Sequence, residues 1–375
     1  MEKPKIKLRT WIEIDKRAAE ENYQAFRKLI KPETKLMAIV KSNAYGNELV
    51  GFSKMQDEFG ADAFGVDSIT EGLALREAGI TKPILVLGYT IHENVRVASE
   101  KNISITLSNF EALDLLVKDK MPINVHIKID SGMHRQGFFP KDVQKLADIL
   151  LANKHITVEG MYTHFANAKN PSFSADTDSQ AAEFKIAVDI FEKAGFKFLR
   201  HASATSGAML FPEYHFDMVR IGIGLSGLWP AKEVERALEK NITLSPILSW
   251  KTVVAETKVL PKGDRIGYNF TETFRKDTKI AICPIGYWHG FPRVLSSIGH
   301  VLVKGKRARV LGRVSMDMIA IDVSDIENVK VSDEAILIGK SGNDAITAEE
   351  FASLADTSSY EVITRINPKI QRVFV

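Results

Sequence analysis

Eight short apolar runs rich in β-branched residues recur along the first two-thirds of this 375-residue chain, with helical patterns between most of them. The first ends at Val40, and the others fall at 62–66, 83–88, 103–107, 125–130, 158–164, 199–203 and 218–223. Strands separated by helices cannot pair as hairpins. They must run parallel, in a sheet whose faces the helices cover. Eight repeats favour closure into a (β/α)₈, TIM-like barrel. The segment after Asp15 shows the helical pattern well: Ala19, Tyr23, Phe26 and Ile30 form one apolar stripe, with Asp15 placed to cap it.

Past residue 240 the pattern changes. Longer β-type runs extend over 248–260, 279–287 and 300–323, interrupted by a short helix with a capping-box pair at Thr347 and Glu350. The chain therefore divides into an α/β barrel over 1–240 and a mostly β domain over 241–375, with about the first ten residues available to pair with the second domain.

Composition narrows the function. The chain is 45% hydrophobic and 26% charged, ordinary for a globular protein, and its net charge is +3. No Lys/Arg tract is interleaved with aromatics, so nucleic acid is not an expected partner. The first nine residues lack a secretory apolar core, and no apolar stretch is long enough to cross a bilayer. Those features read as a cytoplasmic protein without a membrane partner. One cysteine, Cys283, excludes an intrachain disulfide and a Cys-based zinc cluster, and its apolar surroundings suggest a buried thiol. No metal is expected.

In an α/β barrel the catalytic groups stand at the C-terminal ends of the strands. Lys41, Asp130, His164, His201 and Arg220 all end or follow candidate strands. An amine held where a buried strand ends can lose water, drop in pKa and become a nucleophile toward aldehydes or a proton shuttle. Taken singly, Lys41 is also readable as a solvated strand end, Asp130 as a turn residue and each histidine as a satisfied core residue.

The stretch Val40-Lys41-Ser42-Asn43-Ala44-Tyr45-Gly46 resembles the pyridoxal phosphate lysine motif of the alanine racemases, V-K-A-N-A-Y-G-H-G, with Asn47 and Glu48 in place of H-G. The resemblance extends along the chain. Lys128 to Gly137 is similar to K-x-D-T-G-M-x-R-x-G, Thr163-His164-Phe165-Ala166 to T-H-F-A, and Asp217 to Ile223 to D-x-V-R-P-G-I, with Ile221 in place of Pro. Gly267-Tyr268, Pro284-Ile285-Gly286-Tyr287, Phe291-Pro292-Arg293 and Gly312-Arg313-Val314-Ser315-Met316-Asp317 match later motifs in order.

Racemisation requires a proton to leave one face of an α-carbon and another to arrive on the opposite face, so two acid/base groups must flank it. The resemblance implies that Lys41 carries pyridoxal 5'-phosphate and serves one face, with Tyr268 on the other. A free tyrosine titrates near ~10 and would need nearby positive charge or donors to act as a base. His164 and Arg220 are implied to supply that chain. Arg220 is implied to face the pyridine nitrogen, where a guanidinium does not readily protonate the ring. The phosphate would be held by Tyr45, Thr205 and Tyr360 with backbone N–H groups near Gly222 and Ile223. Arg135 would hold the substrate carboxylate by its planar fork of donors, and Met316 would line the substrate pocket. Lys128, carbamylated in some relatives, and Asp317 are supporting positions.

Met316 and Tyr268 are implied to enter from a partner subunit, which makes a homodimer with shared sites the expected working unit. Departures from the family pattern are Ser226 in the usual L-Y-G, and Trp288-His289 in the usual G-Y-A-D-G, a larger and potentially cationic pair. The activity implied is interconversion of L- and D-alanine, supplying D-alanine for peptidoglycan. A broad-specificity or serine racemase is the nearest alternative. A decarboxylase of the same fold type is opposed by Arg220, and a non-catalytic carrier of the cofactor by the β domain with Tyr268.

Overall fold

A computed structural model describes residues 7–375. The described residues form two compact units. One comprises 17–45 and 49–246; the other comprises residues up to Lys16, 46–48 and 247–375.

The first unit is built on eight parallel strands, Lys35–Ile39, Ala63–Val66, Ile84–Val86, Ser104–Leu107, Ile123–Lys128, Ile156–Tyr162, Leu199–His201 and Met218–Ile221. Each sits within or beside one of the eight apolar runs. The last pairs with the first, Leu36 opposite Val219. Between the seventh and eighth, Asp217 N–H donates to Arg200 O and Arg220 N–H to Ser203 O, both at 3.0 Å. These bonds complete a TIM-like ring with helices over its outside. Helix Lys16–Leu29 buries Ala19, Tyr23 and Phe26, and Ile30 follows them into the core, so the sequence stripe is its packing face.

Part of the core is apolar: Met37, Ile39, Ala63, Leu85 and Met218 pack together, with Tyr45 and Leu87 against them. Gly65 makes room, because a Cβ there would lie 2.5 Å from Ile39 Cδ1. A second group of buried side chains in the unit is polar and charged: His126, Lys128, His201 and Arg220 are each less than 7% exposed. That contrast locates the chemistry.

The second unit is mostly β. Nine strands of its larger sheet form one path, with Thr10–Ile14 antiparallel to Leu248–Val253 and parallel to Arg372–Phe374. The long apolar runs seen in sequence are divided by turns. Lys304 and Gly305, both at positive φ, form a two-residue turn between His300–Val303 and Lys306–Leu311. Thr347 caps helix Ala348–Leu354 by accepting from Glu350 N–H. Only that half of the expected capping box forms, because the Glu350 carboxylate pairs with Arg307. Cys283 is buried, and burial pushes its thiol up to about 12.

Candidate active site

The strand Lys35–Ile39 delivers Lys41 at its C-terminal end, where the chain turns into an unusual segment. Ser42, Asn43, Ala44 and Tyr45 all have φ between 51 and 57°, a left-handed turn without a glycine. L-residues disfavour that conformation by roughly 1–2 kcal/mol each. The surroundings hold it in place: Asn43 N–H donates to Glu71 Oε1 at 3.0 Å, Asp67 N–H donates to Glu71 Oε2 at 2.9 Å, and Asn43 Oδ1 accepts from Leu49 N–H at 2.9 Å. Backbone strain over-determined in this way is characteristic of functional positions.

The turn also partly buries Tyr45, whose hydroxyl is pushed up to about 12 by loss of water and so stays a phenol. A Cβ on Gly222 would stand 2.4 Å from that hydroxyl, so only glycine permits the approach. Gly222 N–H donates to Thr205 Oγ1 at 3.2 Å, which brings Tyr45, Thr205 and Gly222 together, with Ile223 next in the chain.

Arg220 is the organising residue. It is 4% exposed and held by both terminal nitrogens. Nη1 donates to His201 O and lies 3.0 Å from His201 Nδ1. Nη2 donates to Thr163 O and Ala202 O at 2.8 Å and lies 3.3 Å from His164 Nδ1. No described residue accepts a hydrogen bond from Nε. Burial lowers its pKa to about 10, which still leaves it charged near neutrality.

Lys128 ends its strand opposite Tyr162, with its nitrogen 4.3 Å from that ring's centre. Its pKa is well below the ordinary value, first through burial and then through Arg220 and Arg135, with Asp130 opposing and Lys41 adding to the depression. His164 is depressed by burial and by Arg220, Lys128, Arg135 and Lys41. Three cations, Arg220, Arg135 and Lys41, therefore act on Lys128 and His164 together, and Asp130 is the carboxylate raising Lys128. Such a region suits anions. Arg135 itself is exposed, on the loop after Asp130. That loop is tied by Asp130 Oδ1 accepting from Gly132 and His134 N–H, and by Gly137 at φ +135°, where a Cβ would meet Asp130 N at 2.5 Å.

Of the site residues read from sequence, Lys41, Tyr45, Lys128, Arg135, His164, Thr205, Arg220, Gly222 and Ile223 belong to the barrel unit, at or just beyond strand ends. Tyr268, Met316, Asp317 and Tyr360 belong to the β unit. Tyr268 follows the strand Arg265–Ile266 and is 67% exposed, and Met316 is 52% exposed. Tyr360 is half-buried in helix Ser359–Arg365. Asp317 lies 4.0 Å from His289. His289 is not a free cation: it is buried, its Nδ1 accepts Gly286 N–H at 3.2 Å, and burial lowers its pKa. Ser226 is buried in the turn 223–226.

Sequence reading left out His126, Thr106 and Tyr162. Tyr162 stacks on His201 at 8° with centres 4.8 Å apart, and its hydroxyl meets Thr106 Oγ1 at 2.8 Å. A signal for His126 existed in its period-2 spacing from Lys128 along one strand face.

Two family models match the chain: "Alanine racemase, N-terminal domain" over residues 14–230 and "Alanine racemase, C-terminal domain" over 247–374. An alanine racemase of Leptospira interrogans is 39% identical over 374 residues, covering 98% of this chain and 96% of the relative. Among solved structures, alanine racemase of Clostridium difficile 630 superposes with a TM-score of 0.93 at 33% identity, covering 99% of this chain and 97% of that one. The Bacillus anthracis alanine racemase with bound L-Ala-P gives 0.93 at 34% identity, covering 99% and 96%. No helix among the described residues is long and apolar enough to cross a membrane.

Proposed function

The chain belongs to the alanine racemase family and is an amino-acid racemase, an isomerase; from that membership we propose that it interconverts L- and D-alanine with pyridoxal 5'-phosphate, using Lys41 and Tyr268 as the two acid/base groups. The observation that carries this reading is Arg220, a buried cation fixed on every side except Nε.

The residues present fit that cofactor. Arg220 Nε is a donor with no hydrogen-bond partner among the described residues, suited to a ring nitrogen. Tyr45 and Thr205 hydroxyls beside Gly222, whose lack of Cβ opens the space, suit a phosphate. The chemistry pyridoxal phosphate supplies when bound is electron withdrawal from the amino acid's Cα, which acidifies the Cα–H.

Lys41 would hold the cofactor at its aldehyde end, and its amine would move a proton on one face of the substrate Cα. Tyr268 moves a proton on the other face. Arg220 would offer its Nε–H to the ring nitrogen without giving up the proton, which would moderate electron withdrawal and favour return of a proton to Cα over side reactions. His164, depressed by its cationic neighbours, stays neutral and can pass hydrogen bonding from Arg220 toward the phenol. Arg135 orients the substrate carboxylate, supported by Lys128. Asp317 supports the loop that carries Met316.

The working unit in this reading is a cytoplasmic homodimer in which the partner's Tyr268 and Met316 complete each site. The exposure of Tyr268, Phe270, Tyr287, Trp288, Met316 and Met318, each 43–67%, supports that association. Its product would be D-alanine for cell-wall synthesis.

Chiral analysis of the products formed from L-alanine, L-serine and L-lysine tests the assignment. D-alanine should accumulate to equality with L-alanine. An amine product without the carboxylate would establish a decarboxylase, and no product at all would establish a carrier.

A further inference from the structure

His126 has no part in the proton transfers assigned above. It is 6% exposed, yet it reaches His201 across an intervening strand. The strands Ile123–Lys128 and Leu199–His201 are separated by Ile156–Tyr162, and the position opposite His126 on that middle strand is Gly160. A Cβ on Gly160 would lie 2.2 Å from His126 Nδ1. Glycine therefore opens a notch, and through it His126 Nδ1 comes within 2.9 Å of His201 Nε2. An irregularity in register between Val125 and His126 sets this pairing.

The proton positions follow from chemistry. Arginine only donates. At 3.0 Å from Arg220 Nη1, His201 Nδ1 must therefore offer its lone pair. A neutral imidazole then carries its hydrogen on Nε2, and that N–H needs an acceptor. His126 Nδ1 is that acceptor, which leaves the hydrogen of His126 on its own Nε2. Tyr162 stacked on His201 removes the ring's remaining freedom to turn. Burial favours neutral rings at both histidines.

We propose that His126 is a positioning residue for racemisation: by accepting the Nε2–H of His201 it locks that ring in the tautomer whose Nδ1 receives Arg220, and so fixes the direction of Arg220 Nε. The role of Arg220 toward pyridoxal phosphate rests on the function proposed above, whereas the tautomer of His201 does not.

The test is ¹⁵N-histidine NMR of the full-length protein, combined with the visible absorbance of added pyridoxal phosphate. In the unaltered protein His201 should carry its hydrogen on Nε2 and His126 should do the same; a His201 hydrogen on Nδ1 overturns the proposal without any variant. H126L leaves the His201 donor buried without an acceptor. It should break the Arg220–His201 Nδ1 pairing as the ring turns to seek another acceptor, changing the His201 ¹⁵N shifts, shifting the absorbance of the bound cofactor and lowering kcat about 10-fold or more with a smaller change in KM. H126N, whose Oδ1 occupies the acceptor position, should restore both the NMR signature and most of kcat. G160A, which pushes the ring away, should behave as H126L does. Unchanged His201 shifts and unchanged absorbance in H126L would refute the lock. If the unaltered protein binds no pyridoxal phosphate while His201 shows the expected tautomer, the failure lies with the proposed function instead.

Discussion

The Lys128 nitrogen stands 4.3 Å from the centre of the Tyr162 ring, and the two residues are register partners on adjacent parallel strands. Arg220 approaches the same ring at 5.3 Å. An aromatic face partly offsets the cost of burying an amine, but no carboxylate is paired with Lys128 within salt-bridge distance among the described residues. Two cations sharing one ring repel each other, and the lysine yields first because its proton can leave.

Stability should therefore rise with pH through the alkaline range. The folded pKa of Lys128 lies well below its usual 10.5, so between the two values the unfolded chain binds the extra proton and alkali favours the folded form. The cost is full below the folded pKa and disappears above 10.5. K128M should abolish this slope, and denaturant midpoints of the two proteins measured across that range decide it.

Acid should act through the histidines. His126, His164 and His201 are held neutral by burial and then by Arg220, with His126 lowered to about 3. Unfolded histidines take up protons near 6.5 and the folded ones do not, so stability is lost as pH falls below that value. Each contributes a slope of ~1.4 kcal/mol per pH unit. Urea unfolding at about pH 7 and about pH 5 should show a loss of several kcal/mol, and an equal midpoint at both would contradict neutral buried rings.

Lys41 and Tyr268 should separate cofactor attachment from proton transfer. Y268F should keep the visible absorbance of the bound cofactor while losing activity by about 10²–10⁴-fold. K41A should lose the absorbance along with the activity. Near-normal turnover in Y268F would remove Tyr268 from the mechanism.

Mixing those two inactive proteins tests the shared site. A dimer formed from one K41A chain and one Y268F chain contains one site with both groups intact. Full exchange should then restore about a quarter of the unaltered activity per site. Mass spectrometry of tagged chains reports the exchange, and exchange with no recovery would place both groups in one chain.

If Met316 and Tyr360 flank the substrate's side chain in the proposed site, substrate size should follow them. Alanine should lead in kcat/KM, serine should trail by about 100-fold and lysine should be nearly inert. Y360N should broaden the range. Lysine equal to alanine in the unaltered protein would mark a broad-specificity enzyme.

The eight strands of the barrel were legible in the sequence because a parallel strand buried on both faces reads as a short apolar run, and helices must separate such strands. That Lys41, His164 and Arg220 stand at or just past strand ends was legible for a related reason, since the close of each apolar run marks such an end. The turns were not: Lys304-Gly305 sits inside an apolar stretch, and positive φ at a lysine leaves no mark in composition. The Glu350 carboxylate was drawn to Arg307 by a contact remote in sequence. Least visible was the partnership of His126, Gly160 and His201. Each residue taken singly fits an ordinary core. Their meaning depends on which strands become neighbours and in what register, and residue order along the chain sets both only after the barrel has closed.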